Sequence, residues 1–235
     1  GNLKLAAFYL ALNNLDNMEA VLNHVDANLT RHIFGAVGMI PNEDTFSNIV
    51  REDVSLEEVV KQYLVLPVFY GPSDVHSIPK VLILEIFRST VSQPGVDVLI
   101  AHWIPICVLA SNLYLYFLQY QCYHLQRRVA LTLVALSNMI WISKVELQEY
   151  STFLANTTDV SWRHDVLLYQ LATLCRVTTT INMLAYCLKQ GERPMDAFKI
   201  LCKSMKMKNH HNAAMWQIAT FISSTVRISN VRRGE

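Results

Sequence analysis

From Val98 to Gln126 the chain carries no Asp, Glu, Lys or Arg. An uncharged stretch of that length belongs either in a bilayer or in a helix packed on more than one side. Its second half, Asn112 to Arg128 (NLYLYFLQYQCYHLQRR), favours the packed helix. Tyr114, Tyr116, Tyr120 and Tyr123 fall through the middle of the run rather than in belts at its ends, and Pro105, Asn112, Gln119, Gln121 and Gln126 interrupt its apolarity. At about 100° per residue, Tyr114, Leu115, Leu118, Cys122 and Leu125 form one apolar arc and Tyr116, Tyr120 and Tyr123 another, with Asn112, Gln119 and Gln126 as a seam between them. The pattern predicts a central helix held between neighbours, its seam amides sharing hydrogen bonds with tyrosine hydroxyls. The next apolar run, Val129 to Ser143, is short for a crossing, so no membrane contact is expected.

Helical period extends along most of the chain. In 16–37 Met18, Val21, Leu22, Val25, Leu29, Ile33 and Val37 recur at three and four. Two capping boxes, Ser55-Leu56-Glu57-Glu58 and Ser143-Lys144-Val145-Glu146, read as helix starts. Pro79, Pro94 and Pro194 suit first-turn positions, and Gly191 suits the glycine just past a helix end. The spacing predicts helices near 3–13, 16–37, 43–51, 56–67, 79–92, 95–103, 106–126, 129–142, 144–155, 159–189, 194–208 and 212–229. Only the run Tyr63 to Tyr70 is strand-like, and a lone strand would have no partner. With 7 Gly and 7 Pro in 235 residues there is little material for long loops. The expected fold is therefore a single all-α domain over 1–235, built of antiparallel helix pairs. It is either an irregular α-solenoid, similar in architecture to HEAT and armadillo proteins, or a globular helical bundle. No fixed repeat period emerges. The chain opens Gly1-Asn2 rather than with Met, and is expected to be a piece of a longer protein.

Signatures of chemistry are sparse. There is no glycine-rich phosphate loop, no GxSxG elbow, no HExxH and no zinc spacing of Cys and His. Cys107, Cys122, Cys175, Cys187 and Cys202 are odd in number and lack a CxxC pair, so they read as reduced thiols of a cytoplasmic or nuclear protein. The triplets Asn28-Leu29-Thr30 and Asn156-Thr157-Thr158 match the glycosylation pattern by chance. His164-Asp165, with His124 upstream and Asp196 downstream, resembles the H…HD…D ligand order of HD-domain phosphohydrolases. That resemblance implies a divalent metal beside a phosphate ester, but the dipeptide is common and no further family residue surrounds it. No enzymatic activity, cofactor or metal is expected.

Charge carries the clearer signal. Residues 1–100 hold 6 Lys and Arg against 12 Asp and Glu, whereas residues 191–235 hold 8 against 3. In the helix predicted at 194–208, Lys199, Lys203 and Lys206 share one arc, and Met195, Phe198, Leu201, Cys202 and Met205 occupy the next. Lys208, Arg227, Arg232 and Arg233 extend the basic patch. The expected function is a non-enzymatic scaffold subunit that binds a partner's amphipathic helix or acidic peptide in a surface groove. Nucleic-acid backbone binding by the same basic residues is the alternative.

Overall fold

Three helix pairs joined by the same short turn form the body of the protein. The computed structural model describes residues 1–29, 33–34, 64–65, 67–87, 106–156, 164–207 and 212–233. Within them α1 (Asn2–Ala11) turns into α2 (Leu15–Leu29). After a short α3 (Lys80–Ile86), α4 (Ser111–Leu125) turns into α5 (Val129–Asn156), α6 (His164–Gln190) turns into α7 (Pro194–Met207), and α8 (Ala214–Arg233) follows. In each turn the middle residue is left-handed: Asn13 at φ 55°, Arg127 at φ 59° and Glu192 at φ 59°. The amide after it reaches back to a carbonyl of the last helical turn, Asn14 to Tyr9, Arg128 to Tyr123 and Arg193 to Leu188, each at 2.9 Å. This closure satisfies carbonyls that a helix end leaves open and reverses the chain at once into the next helix. Gly191 is thus one position early. It stays outside the left-handed region, donates to the Cys187 carbonyl, and leaves the positive φ to Glu192.

The helices follow one another in space: α2 packs on α4, α4 on α5, α5 on α6, α6 on α7 and α7 on α8, while α1 lies against α2 and α4. One apolar core runs through them from Leu3 to Ala214. It is an all-α multi-helix domain of stacked antiparallel hairpins. α4 is its central helix, with Leu113, Tyr114, Leu115, Phe117 and Leu118 fully buried. Two of the three seam amides find carboxylates instead of tyrosines: Gln119 Nε2 donates to Asp26 at 3.1 Å and Gln126 Nε2 to Glu19 at 3.0 Å, tying α4 to α2. The tyrosine hydroxyls go elsewhere, Tyr114 to Tyr70 at 2.9 Å and Tyr120 to the Cys187 carbonyl at 2.8 Å. The wheel found the right faces but not the partners, because those come from distant helices. None of the five cysteines is in a disulfide, and four of them are buried. The Cys122 thiol, which contacts the Leu15 carbonyl, is pushed up to about 11 by burial.

Several predicted boundaries give way to tertiary pairing. The helix predicted over 16–37 is observed as α2 to Leu29, and β1 (Ile33–Phe34) pairs in parallel with β2 (Leu64–Val65), so Leu64 and Val65 are strand where a helix to Pro67 is predicted. The strand-like run does have a partner: β3 (Val68–Tyr70) pairs antiparallel with β4 (Cys107–Leu109), so α4 begins at Ser111 rather than at 106. The helices predicted at 129–142 and 144–155 are one helix, α5. Ser143 does not cap it, since its hydroxyl donates back to the Met139 carbonyl at 2.7 Å. The helices predicted at 43–51 and 95–103, the box at Ser55 and Pro94 lie outside the described residues. Continuity makes α5 long: by length and composition alone, Val129–Thr152 could cross a bilayer. α5 turns Ala135, Leu136, Met139 and Ile142 into the core, while Val129, Leu133, Val134 and Trp141 stand exposed on its other side.

Candidate functional site

Where α5, α6 and α7 meet, their outward rows leave a groove of about 360 Å³. Each wall follows from helical spacing. Ile140, Ser143 and Leu147 line it from α5, Ile181, Leu184 and Leu188 from α6, and Ile200 from α7. Steps of three, four and seven put each set on one face. The α6 residues are buried and form the floor, while Ile140, Leu147 and Ile200 are half-buried shoulders. The one hydroxyl among them, on Ser143, is already bonded to Met139, so the floor presents no open polar demand. Around this apolar bed stand Lys144 from α5 and Lys199 and Lys203 from α7, all exposed. The lining's single carboxylate, Asp196, is held by Arg193 at 2.7 Å. The rim is therefore basic on both long sides, across an apolar centre.

The predicted basic stripe is only partly gathered here. Lys199 and Lys203 line the groove, and Lys206 is exposed on the same arc of α7 beyond the lining residues. Lys208 lies outside the described residues. Arg227, Arg232 and Arg233 sit on the later turns of α8. The face that α7 buries is Ala197, Leu201 and Ser204, and Met195, expected to dock, is 62% exposed. Lys144 and Arg193 were missed by the sequence. A lysine inside an apparent capping box and an arginine beside a turn proline carry no local sign that they will meet α7's lysines.

Two buried polar clusters hold the groove's helices. Glu146 of α5 pairs with Arg176 of α6 at 3.1 Å, both largely buried. Burial holds the Glu146 carboxyl above its usual value, against the pull of Arg176. Further along α6, Asn182 Nδ2 donates to Glu85 at 2.8 Å and to Asn212 at 3.1 Å, Thr179 donates to Glu85 at 3.0 Å, and Asn212 donates to the Ser204 carbonyl at 2.9 Å. That network joins α3, α6, α7 and the residue pair before α8. A second cavity of about 480 Å³ lies on the other side of α6 and α7, and there Lys189 rests over the Phe221 ring at 5.6 Å.

The H…HD…D order does not converge. His124 stacks on Tyr120, whose hydroxyl reaches Cys187 near the end of α6, and Asp196 follows in the first turn of α7. His164-Asp165 opens α6. At 1.5 Å per residue the helix separates the two ends by about 35 Å. Among the described residues no three His, Cys, Asp or Glu side chains are grouped to hold a metal.

With the groove and its rim in place, the fold and site define a helical-hairpin domain with a basic-rimmed apolar groove. No protein-family model, curated protein or solved structure matches the chain significantly.

Proposed function

We propose that this domain is a non-enzymatic interaction module of a cytoplasmic or nuclear assembly, and that the groove between α5, α6 and α7 takes an acidic amphipathic helix from a partner protein. The observation that carries the reading is the order of chemistry across the groove: cation, apolar floor, cation. An amphipathic helix presents the complementary order, an apolar row flanked by carboxylates, and buries its row while its flanks meet Lys144, Lys199 and Lys203. A nucleic-acid backbone offers phosphates without an apolar ridge, so it would leave the floor uncovered. That difference favours the peptide.

The test is fluorescence anisotropy with a labelled synthetic helix carrying leucines at i, i+4 and i+7 between glutamates, alongside a scrambled peptide of the same composition. Binding in the micromolar range to the ordered peptide is expected, with at least a tenfold loss in the Lys199→Glu/Lys203→Glu double variant. Equal affinity for the scrambled peptide, or no response to charge reversal, would overturn the proposal. Tighter binding of a DNA duplex than of the peptide would favour the backbone reading instead.

A further inference from the structure

On the far side of α6 and α7 from the groove, the second cavity of about 480 Å³ is framed by four helices and has a different chemistry. Spacings of three and four again make each wall: Val81 and Leu84 stand on α3, Ala185 and Lys189 on α6, Ala197 and Leu201 on α7, and Gln217 and Phe221 on α8. Ala185, Ala197 and Leu201 are buried and form the floor. Two of those three end at Cβ, which leaves room that longer side chains would fill. The volume falls within the span of small-molecule sites, roughly 300 to 1,000 Å³.

The polar groups of the lining decide what fits. Gln190 Nε2 donates to the Tyr186 hydroxyl at 2.8 Å, Gln190 Oε1 accepts from Gln121 at 3.3 Å, and the Thr220 hydroxyl donates to the Gln217 carbonyl at 2.8 Å. What remains open is donor and cation. Gln217 Nε2 is buried with no hydrogen-bond partner among the described residues, a state that folded chains seldom leave unanswered. Lys189 Nζ lies over the Phe221 ring at 5.6 Å, and Phe221 is one helical turn from Gln217, so a cation stands close to the open amide. Lys80 brings a second exposed cation from α3, and among the described residues no carboxylate lines the cavity. Exposed lysines alone are ordinary surface, but here they share one lining with a buried, unanswered donor and an apolar floor. We propose that this cavity binds a small amphiphilic carboxylate, a hydrocarbon chain ending in one carboxylate group. One carboxylate oxygen accepts from Gln217 Nε2, Lys80 and Lys189 balance the charge at the mouth, and the chain lies on the floor between α3 and Phe221. A phosphate monoester has the same sign but brings more charge to bury against a single inward donor. The site lies apart from the groove, and stands whether or not the groove binds a peptide.

Isothermal titration calorimetry of the full chain with sodium decanoate tests this, with acetate as the control for the chain and decylammonium as the control for charge. One-to-one binding of decanoate in the micromolar range is expected, with at least tenfold weaker binding of either control. Gln217→Leu and the Lys80→Gln/Lys189→Gln double variant are each expected to weaken decanoate at least tenfold, and Leu84→Trp, which fills the cavity, to abolish its binding. Gln217→Leu deletes an unpartnered buried donor, so its thermal midpoint is expected to match or exceed that of the wild type, and binding lost there is not fold lost. Helix content by circular dichroism checks the other variants, and heteronuclear NMR is expected to show the Gln217 side-chain amide moving as decanoate is added. No binding of decanoate, or equal binding of decylammonium, overturns the proposal. So does decanoate binding that Gln217→Leu or Leu84→Trp leaves unchanged, which would place the chain on an exposed apolar surface instead. Decyl phosphate binding more tightly than decanoate would overturn the carboxylate and make the ligand a phosphate monoester.

Discussion

Arg176 and Glu146 meet across α5 and α6 with side chains only 12% and 6% exposed. A pair so deep is worth less than its short distance implies, since both charges have been taken out of water. Removing one partner is another matter. Arg176→Met leaves Glu146 buried with no opposite charge, and a loss of about 3 kcal/mol at pH 7 is expected from chemical denaturation. The sign with pH is fixed by the direction of Glu146's shift. Its carboxyl already sits above the usual value because of burial, and without Arg176 it rises further. Below that raised value the group is protonated and neutral in the folded protein, so the variant's deficit shrinks as pH falls from 7 towards 4.5. A deficit that stays constant over that range would mean that the arginine contributes packing rather than charge compensation. Glu19 behaves oppositely. Its hydrogen bond from Gln126, followed by that from Arg128, holds it below the usual carboxylate range, so the stability it adds is present at neutral pH and lost in acid.

At the scale of elements, the three turns tell most about how sequence specifies this fold. A left-handed residue with a side chain costs roughly 1 kcal/mol relative to glycine, and here asparagine, arginine and glutamate occupy the position at Asn13, Arg127 and Glu192. Glu192→Gly is expected to stabilise the protein by about 0.5 kcal/mol, the relief of strain exceeding the added freedom of the unfolded chain. Gly191→Ala is expected to be neutral or slightly stabilising, because the new Cβ would meet its nearest neighbours, the Cys187 carbonyl and the Tyr120 hydroxyl, at 3.4 and 3.6 Å. Thermal unfolding of the two variants checks both, and a loss of stability in Gly191→Ala would place the special conformation at Gly191 after all. Elsewhere, sequence signals failed locally. Ser143-Lys144-Val145-Glu146 has the spacing of a capping box, but Ser143 bonds backward within the helix and Glu146 points at Arg176. Thirty residues separate that carboxylate from its partner, and no local pattern records the pairing. Cys107–Leu109 reads equally well as helix until Val68–Tyr70 supplies a ladder.

For the molecule as a whole, the core is continuous from α1 to the start of α8, so the hairpins are expected to unfold together rather than one by one. Far-ultraviolet dichroism and tryptophan fluorescence, to which Trp141 in α5 and Trp216 in α8 contribute together with Trp103 and Trp162, should give coincident thermal transitions. Separate midpoints would show that the stack divides into independent units. Helix content, the central place of α4, the exposed lysines of α7 and the charge gradient were all legible in the sequence, because they depend on residue type and on periods of three and four. The partners of the α4 amides, the strand ladders, the groove at α5, α6 and α7 and the cavity framed by α3, α6, α7 and α8 were not. Each is set by residues far apart in the chain, such as Lys144 with Lys199 or Gln119 with Asp26. Sequence period fixes which face of a helix is apolar, and only the packing of helices decides which of those faces are covered and which remain open to bind.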